Sequence, residues 1–239
     1  LLAWVVRTAG RMLDVDFLRI TGNSLMLAGS AALVTLVVGL FMAYGKRLHG
    51  DRLVQGAVRV AGMGYAIPGT VIAIGVMIPF AWLDNTIDAW MRARFDFSTG
   101  LLLSGTLVAL LFAYMVRFLA VALQTAEAGL GKIRPSMDEA ARALGFGPLD
   151  VLKKVHVPML RGSLITAMLL VFVDVLKELP ATLVLRPFNF NTLAVRTYEL
   201  AADERLADAA SASLAIVLAG IIPVILLSQS LSRARIRYE

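Results

Sequence analysis

The sequence predicts an all-α protein, a polytopic bundle of membrane-spanning helices forming one domain over residues 1–239. Three observations predict it. First, 59% of the residues are hydrophobic and only 17% are charged, with a mean hydropathy of +0.77; soluble domains are about half apolar and a quarter charged. Second, five apolar stretches, at residues 24–44, 60–83, 101–123, 163–185 and 210–231, are each long enough to supply the ~20 helical residues that cross a ~30 Å hydrocarbon layer. Third, none of them shows the period-two alternation of a membrane barrel. A lipid-exposed segment must satisfy its own backbone polar groups, so these stretches are helices.

The elements follow in chain order. Residues 1–6 are apolar but too short to span, and the chain opens on Leu1 rather than Met. We expect the tail of a truncated sixth span here, and a chain that is a fragment of something longer. The second span is interrupted by Gly62, Gly64, Pro68, Gly69 and Gly75, the fourth by Pro180 and the fifth by Pro223. Small residues allow close helix approach in lipid, and prolines are tolerated where neighbours restore the lost hydrogen bond.

Orientation is read from Lys and Arg in the connectors. One alternating set holds 13 of them, including Lys46, Arg47, Arg52 and Arg59, and the other holds 7. The richer set is expected to be cytoplasmic, with the C-terminus on the cytoplasmic side of the inner membrane. The net charge of +6 is thereby explained by membrane topology and does not call for nucleic acid. The absence of cysteine excludes disulfides and thiolate chemistry.

The connector at residues 124–162 is long and rich in local signals. Ser136 and Glu139 read as a capping box, with Pro135 ahead of a short helix over residues 137–144 and Asp138 and Glu139 in its first turn. Gly145 stops that helix, and Gly147-Pro148 starts a second one reaching about His156, with Pro158 leading into the next span. Two short helices bent about a glycine at a membrane face make a docking surface rather than a catalytic one.

Glu139-Ala140-Ala141, Gly145, Val155, Val157 and Pro158 spell E-A-A-x3-G-x9-V-x-V-P. This resembles the E-A-A-x3-G-x9-I-x-L-P loop of binding-protein-dependent ABC importer permeases, with valine in place of Ile and Leu. The resemblance implies a type I importer permease fold and a coupling helix seated on a separate cytoplasmic ATPase dimer, which would bind the ATP. It also implies a second permease half and an extracytoplasmic substrate-binding protein. Ser136, Asp138, Glu139, Ala140, Ala141, Gly145 and Pro158 are then the ATPase-coupling residues. Residues 177–202 are similar to the fused ferric-iron importer permeases, most like their C-terminal half, which makes ferric iron the expected cargo.

Asp174, Lys177 and Glu178 fall within the fourth stretch at spacings that share one helix face. Each charge at the bilayer centre costs about 2.5–3.5 kcal/mol on insertion scales, so they should face the bundle interior or a polar path. With Pro180 they are candidates for a translocation pathway. They could equally form a self-neutralising structural cluster, or an ion relay in a secondary transporter or channel, the rival reading. Arg117 is a candidate partner for the surplus negative charge of this cluster, or else snorkels toward the cytoplasmic end of its span, and His49 and His156 are expected to lie on the surface. Asp203, Glu204 and Asp208 are candidates for docking the binding protein. No G-x-x-x-x-G-K-[ST], H-E-x-x-H or G-x-S-x-G occurs, so neither ATP hydrolysis, metal ligation nor enzymatic activity is expected of this chain.

Overall fold

A computed structural model describes residues 4–6, 8 and 14–236. Among the described residues every regular element is helical, and five helices are long and apolar enough to cross a membrane. The sixth-span tail expected at residues 1–6 falls partly outside the described residues.

Helix α1, Val15–Leu48, is capped by Asp14, whose carboxylate accepts from the Phe17 amide at 2.8 Å. It starts well before residue 24 because its early polar residues are satisfied locally. Thr21 donates to the Phe17 carbonyl at 2.8 Å and Ser24 to the Ile20 carbonyl at 3.0 Å.

The expected second span is two helices, not one. Helix α2, Arg52–Ala61, ends at Gly62; a 3-10 turn covers Gly64–Ala66; helix α3, Gly69–Phe95, then begins behind Pro68. Proline disfavours helical geometry in the residue before it, and Ile67 is extended (φ −87°, ψ 134°). Gly64 fixes the break in place. A Cβ there would stand 2.0 Å from the Val116 carbonyl oxygen, so only glycine lets this backbone lie on the neighbouring helix. Helix α3 outruns residue 83 because Asp84 and Asp88 gather the following loop. Buried Asp84 accepts from the amides of Leu102, Leu103 and Ser104 at 3.2, 3.0 and 2.8 Å.

Helix α4, Leu107–Leu130, is the centre of the bundle, lying against α1, α3 and α6. Ala28, Ala31, Ala109, Ala113 and Ala122 are fully buried. Opposite Ala122, a Cβ on Gly39 would be 3.0 Å from the Ala122 Cβ. With no hydrophobic force between helices in lipid, such small-residue contacts carry the packing.

Helix α5, Pro135–Ala143, forms the start of the expected docking loop. The second short helix of that loop is instead the first part of a long helix α6, Pro148–Leu176. A π turn over Leu152–His156 lies directly before Pro158. Proline lacks an N–H and its ring collides with the carbonyl four residues earlier; widening the turn relieves both problems without ending the helix. The span closes at Leu176, not 185. Helix α7, Pro180–Leu185, follows a short break, then α8, Leu193–Ala202, and α9, Leu206–Ile236.

Candidate functional site

One end of the bundle carries α5. Its N-cap is Arg134, no side chain caps it, and Ser136 and Glu139 are both exposed. The capping box is therefore not formed; Pro135 at the first helical position starts the helix instead, with its φ already set. The exit is as expected. Gly145 has φ +85°, and the Phe146 and Gly145 amides donate to the Ala141 and Arg142 carbonyls at 3.1 and 2.9 Å, a Schellman ending that requires a left-handed residue.

The helix has two faces. Asp138 and Ala141, three apart, are buried against the bundle, while Glu139, Ala140 and the apolar Met137 and Leu144 are open to the outside. Leu144 is 76% exposed.

Asp138 is the attachment point. One carboxylate oxygen accepts from Arg47 Nε at 2.8 Å and the other lies 2.6 Å from His156 Nε2. The rest of the Arg47 guanidinium donates to the Leu130 carbonyl at the end of α4 and to the Ile133 carbonyl at 2.9 Å. Tyr44 adds a bond from its hydroxyl to the Pro148 carbonyl at 2.8 Å, and its ring meets His156 edge-on with centroids 5.2 Å apart. Burial works against the charge on Asp138, but the hydrogen bonds from His156 and Arg47 outweigh it and hold the carboxyl below its ordinary range. His156 is thus fully buried, contrary to the surface position expected of it. Its place in the π turn aims the ring back at α5. Arg47 and Tyr44, unremarkable in the sequence, complete the clamp.

The second group of charges lies where the two helix breaks meet. Lys177 pairs with Asp174 at 2.9 Å as the spacing predicts, and Tyr65 donates to Asp174 at 3.4 Å. Glu178 does not join them. The helix has ended, so Glu178 turns inward, buried, with Oε2 3.1 Å from Arg117 Nε in an ion pair not aligned as a hydrogen bond. Its other oxygen accepts from the Ala181 amide at 3.3 Å at the start of α7, where the helix dipole favours a negative charge. Of the two readings of Arg117, pairing with the surplus negative charge is the one observed, and Arg117 also donates to the Ile67 carbonyl at 2.6 Å, a group freed by the α2–α3 break. Gly69 closes the junction: a Cβ there would be 2.4 Å from Glu178 Oε1 and 3.3 Å from Pro180 Cβ.

At the opposite end of the bundle from α5, Ser24 accepts from the Leu193 amide at 2.7 Å and Arg186 pairs with Glu199 at 3.1 Å. Asp203 and Glu204 lie in the exposed turn after α8, and Asp208 pairs with Arg205 at 2.7 Å.

The described residues thus form a bundle with five candidate membrane spans, helix breaks flanking two of them, and a short outward-facing helix clamped to one end. Residues 35–238 match the family described as binding-protein-dependent transport system inner membrane component, and the chain belongs to that family. It is 26% identical over 214 residues to the Fe(3+)-transport system permease protein FbpB 2 of Haemophilus influenzae, covering 90% of this chain and 39% of that protein. It is 27% identical over 194 residues to the putative 2-aminoethylphosphonate transport system permease protein PhnV of Salmonella paratyphi A, covering 81% of this chain and 67% of that protein. Among solved structures it resembles the inward-facing MetNI methionine ABC transporter, with a TM-score of 0.66 at 16% identity over 90% of this chain and 94% of that one. A bacterial alginate ABC transporter gives 0.68 at 11% identity over 92% and 79%. The fold is that of an ABC importer permease.

Proposed function

We propose that this chain is a permease module of an ATP-driven, binding-protein-dependent importer, powered through α5 by a separate ATPase. The observation that carries the reading is the division of α5 into two faces. Asp138 ties one face to α1, α4 and α6 through Arg47 and His156, and Met137, Glu139, Ala140 and Leu144 leave the other open. A helix held by three structural elements moves them when it is moved. Closure of an ATPase dimer against the open face would therefore shift the spans as a body, and differential contacts in the two states would supply the coupling energy. The Lys and Arg bias supports a cytoplasmic position for this end and for the C-terminus. Alignment to less than half of the length of the ferric relative is in keeping with one module of a longer permease.

The exposed Lys177 and Tyr65, with the half-buried Asp174 that bonds both, are the proposed lining of the path between two modules, while Arg117 and Glu178 brace the helix breaks behind it. An ion relay is disfavoured because the three charges divide into two separate pairs. Ferric iron is the favoured cargo on the FbpB similarity, and a phosphonate is the second reading on that to PhnV. The test uses the fact that the chain has no cysteine. Leu144→Cys should form a specific cross-link to a cysteine-labelled ATPase in the assembled transporter, and ATP turnover should rise with a binding protein loaded with ferric iron. No cross-link at 144 would refute the dock; stimulation by 2-aminoethylphosphonate instead would reassign the cargo.

A further inference from the structure

The end of the bundle that carries α5 also holds a cavity that the coupling reading does not use. It measures about 380 Å³ and lies between α1, α2 and α4, with Lys46, Gln55, Arg59, Gln124 and Glu127 as its polar lining. We propose that this cavity binds a phosphate-type oxyanion, either a free phosphate or phosphonate or the headgroup of an anionic phospholipid.

The donor inventory points to this chemistry. Helix α2 contains Arg52 and Arg59 and no acidic residue. Its polar residues Arg52, Gln55 and Arg59 follow one face, while Val58 on the other packs with Ala43, Leu123 and Ala126. The helix is therefore seated by its apolar side with its guanidinium groups turned outward. Arg59 has no carboxylate partner among the described residues, and Gln124 makes no hydrogen bond among them. Gln55 spends one amide hydrogen on the Gly50 carbonyl at 2.7 Å and keeps another.

Glu127, the sole carboxylate in the lining, is 2.8 Å from Lys46 and neutralised by it. The cavity is left with a net positive charge and an excess of donors. A guanidinium flanked by amides matches the planar, forked recognition of phosphate oxygens, whereas a cation would find its single carboxylate already occupied. The proposal stands whichever cargo the importer carries.

The experiment uses the assembled transporter purified in phosphate-free buffer. One arm titrates inorganic phosphate and methylphosphonate calorimetrically. The other measures, by native mass spectrometry, retention of phosphatidylglycerol against phosphatidylcholine after extraction from mixed vesicles. Saturable binding at one site per chain is expected in at least one arm, and the arm that responds identifies the source. Arg59→Gln should weaken it about tenfold or more, the worth of a charge-assisted hydrogen bond. Glu127→Gln should strengthen it severalfold, because the competing carboxylate is removed and Lys46 is released. The exposed control Arg94→Gln, in the last turn of α3, should leave it unchanged. Absence of binding in both arms, or binding indifferent to Arg59→Gln, would overturn the proposal.

Discussion

Arg47 and Arg117 are buried to a similar degree beside their carboxylates, with side-chain exposures of 17% and 20%, yet they hold different kinds of structure. Arg47 joins a surface helix to the bundle, and its acceptors come from α5, the end of α4 and the loop between them. Arg117 joins two interruptions inside the bundle, taking the Ile67 carbonyl from one break and Glu178 from the other. The first network can fail while the spans stay packed. In the second, loss of either partner strands a buried charge, Glu178 above all, inside the bundle. Attachment of α5 and integrity of the bundle thus fall to separate arginines.

The largest effect should come from the internal junction. Glu178→Leu leaves Arg117 buried without its counter-charge and should destabilise the bundle by about 3–5 kcal/mol. The double variant Arg117→Met/Glu178→Leu should recover much of that loss, because two apolar groups replace a matched pair. Thermal unfolding of the purified protein reads both, and equal losses in single and double variants would erase the distinction between the two regions.

At the clamp, Asp138→Asn keeps the shape but removes the charge that Arg47 and His156 share. A loss of about 1.5–3 kcal/mol is expected, concentrated in α5. Hydrogen exchange should therefore rise in residues 135–143 and not in α4. Spread of the effect into α4 would mean that the clamp is part of the core.

A smaller effect is expected of pH. A carboxyl held below its ordinary value contributes stability above the unfolded pKa of about 3.9, and loses it as pH falls from there through the folded value. The Asp138 contribution to α5 docking should therefore fade as pH falls below about 4. A spin label at the open face, tracked through this range, checks it; label mobility that does not change below about 4 would contradict it.

The smallest effect on stability belongs to the open face. Leu144→Ser should change unfolding by no more than about 0.5 kcal/mol while weakening association with the ATPase. A pull-down compared with the melting curve separates the two.

Much of the fold was legible because lipid imposes a strong rule: long apolar stretches must be helices. The boundaries were less so. Nothing local marks where polar residues bond within their own helix, as Thr21 and Ser24 do, or where an aspartate such as Asp84 extends a helix by collecting a loop. The α5 motif was readable from Glu139, Ala141, Gly145 and Pro158 in sequence, but its attachment was not. Arg47 lies 91 residues from Asp138 and His156 lies 18 away, and long-range pairing leaves no periodic signal. Ser136 and Glu139 show the converse, a valid local pattern overruled by a proline at the first position. The grouping of Asp174, Lys177 and Glu178 assumed a continuous helix; the break after Leu176 separates Glu178 from the others.

The central claim, that ATP hydrolysis is coupled through the open face of α5, is tested most directly by Glu139→Arg. The variant would be measured in the reconstituted transporter with its ATPase and loaded binding protein. Glu139 is exposed and its side chain makes no hydrogen bond or ion pair among the described residues, so the permease should fold and melt as before. The account predicts loss of binding-protein-stimulated ATP hydrolysis with the ATPase's own turnover retained. Stimulated hydrolysis at the level of the unaltered protein, in Glu139→Arg and again after deletion of residues 136–145, would contradict it.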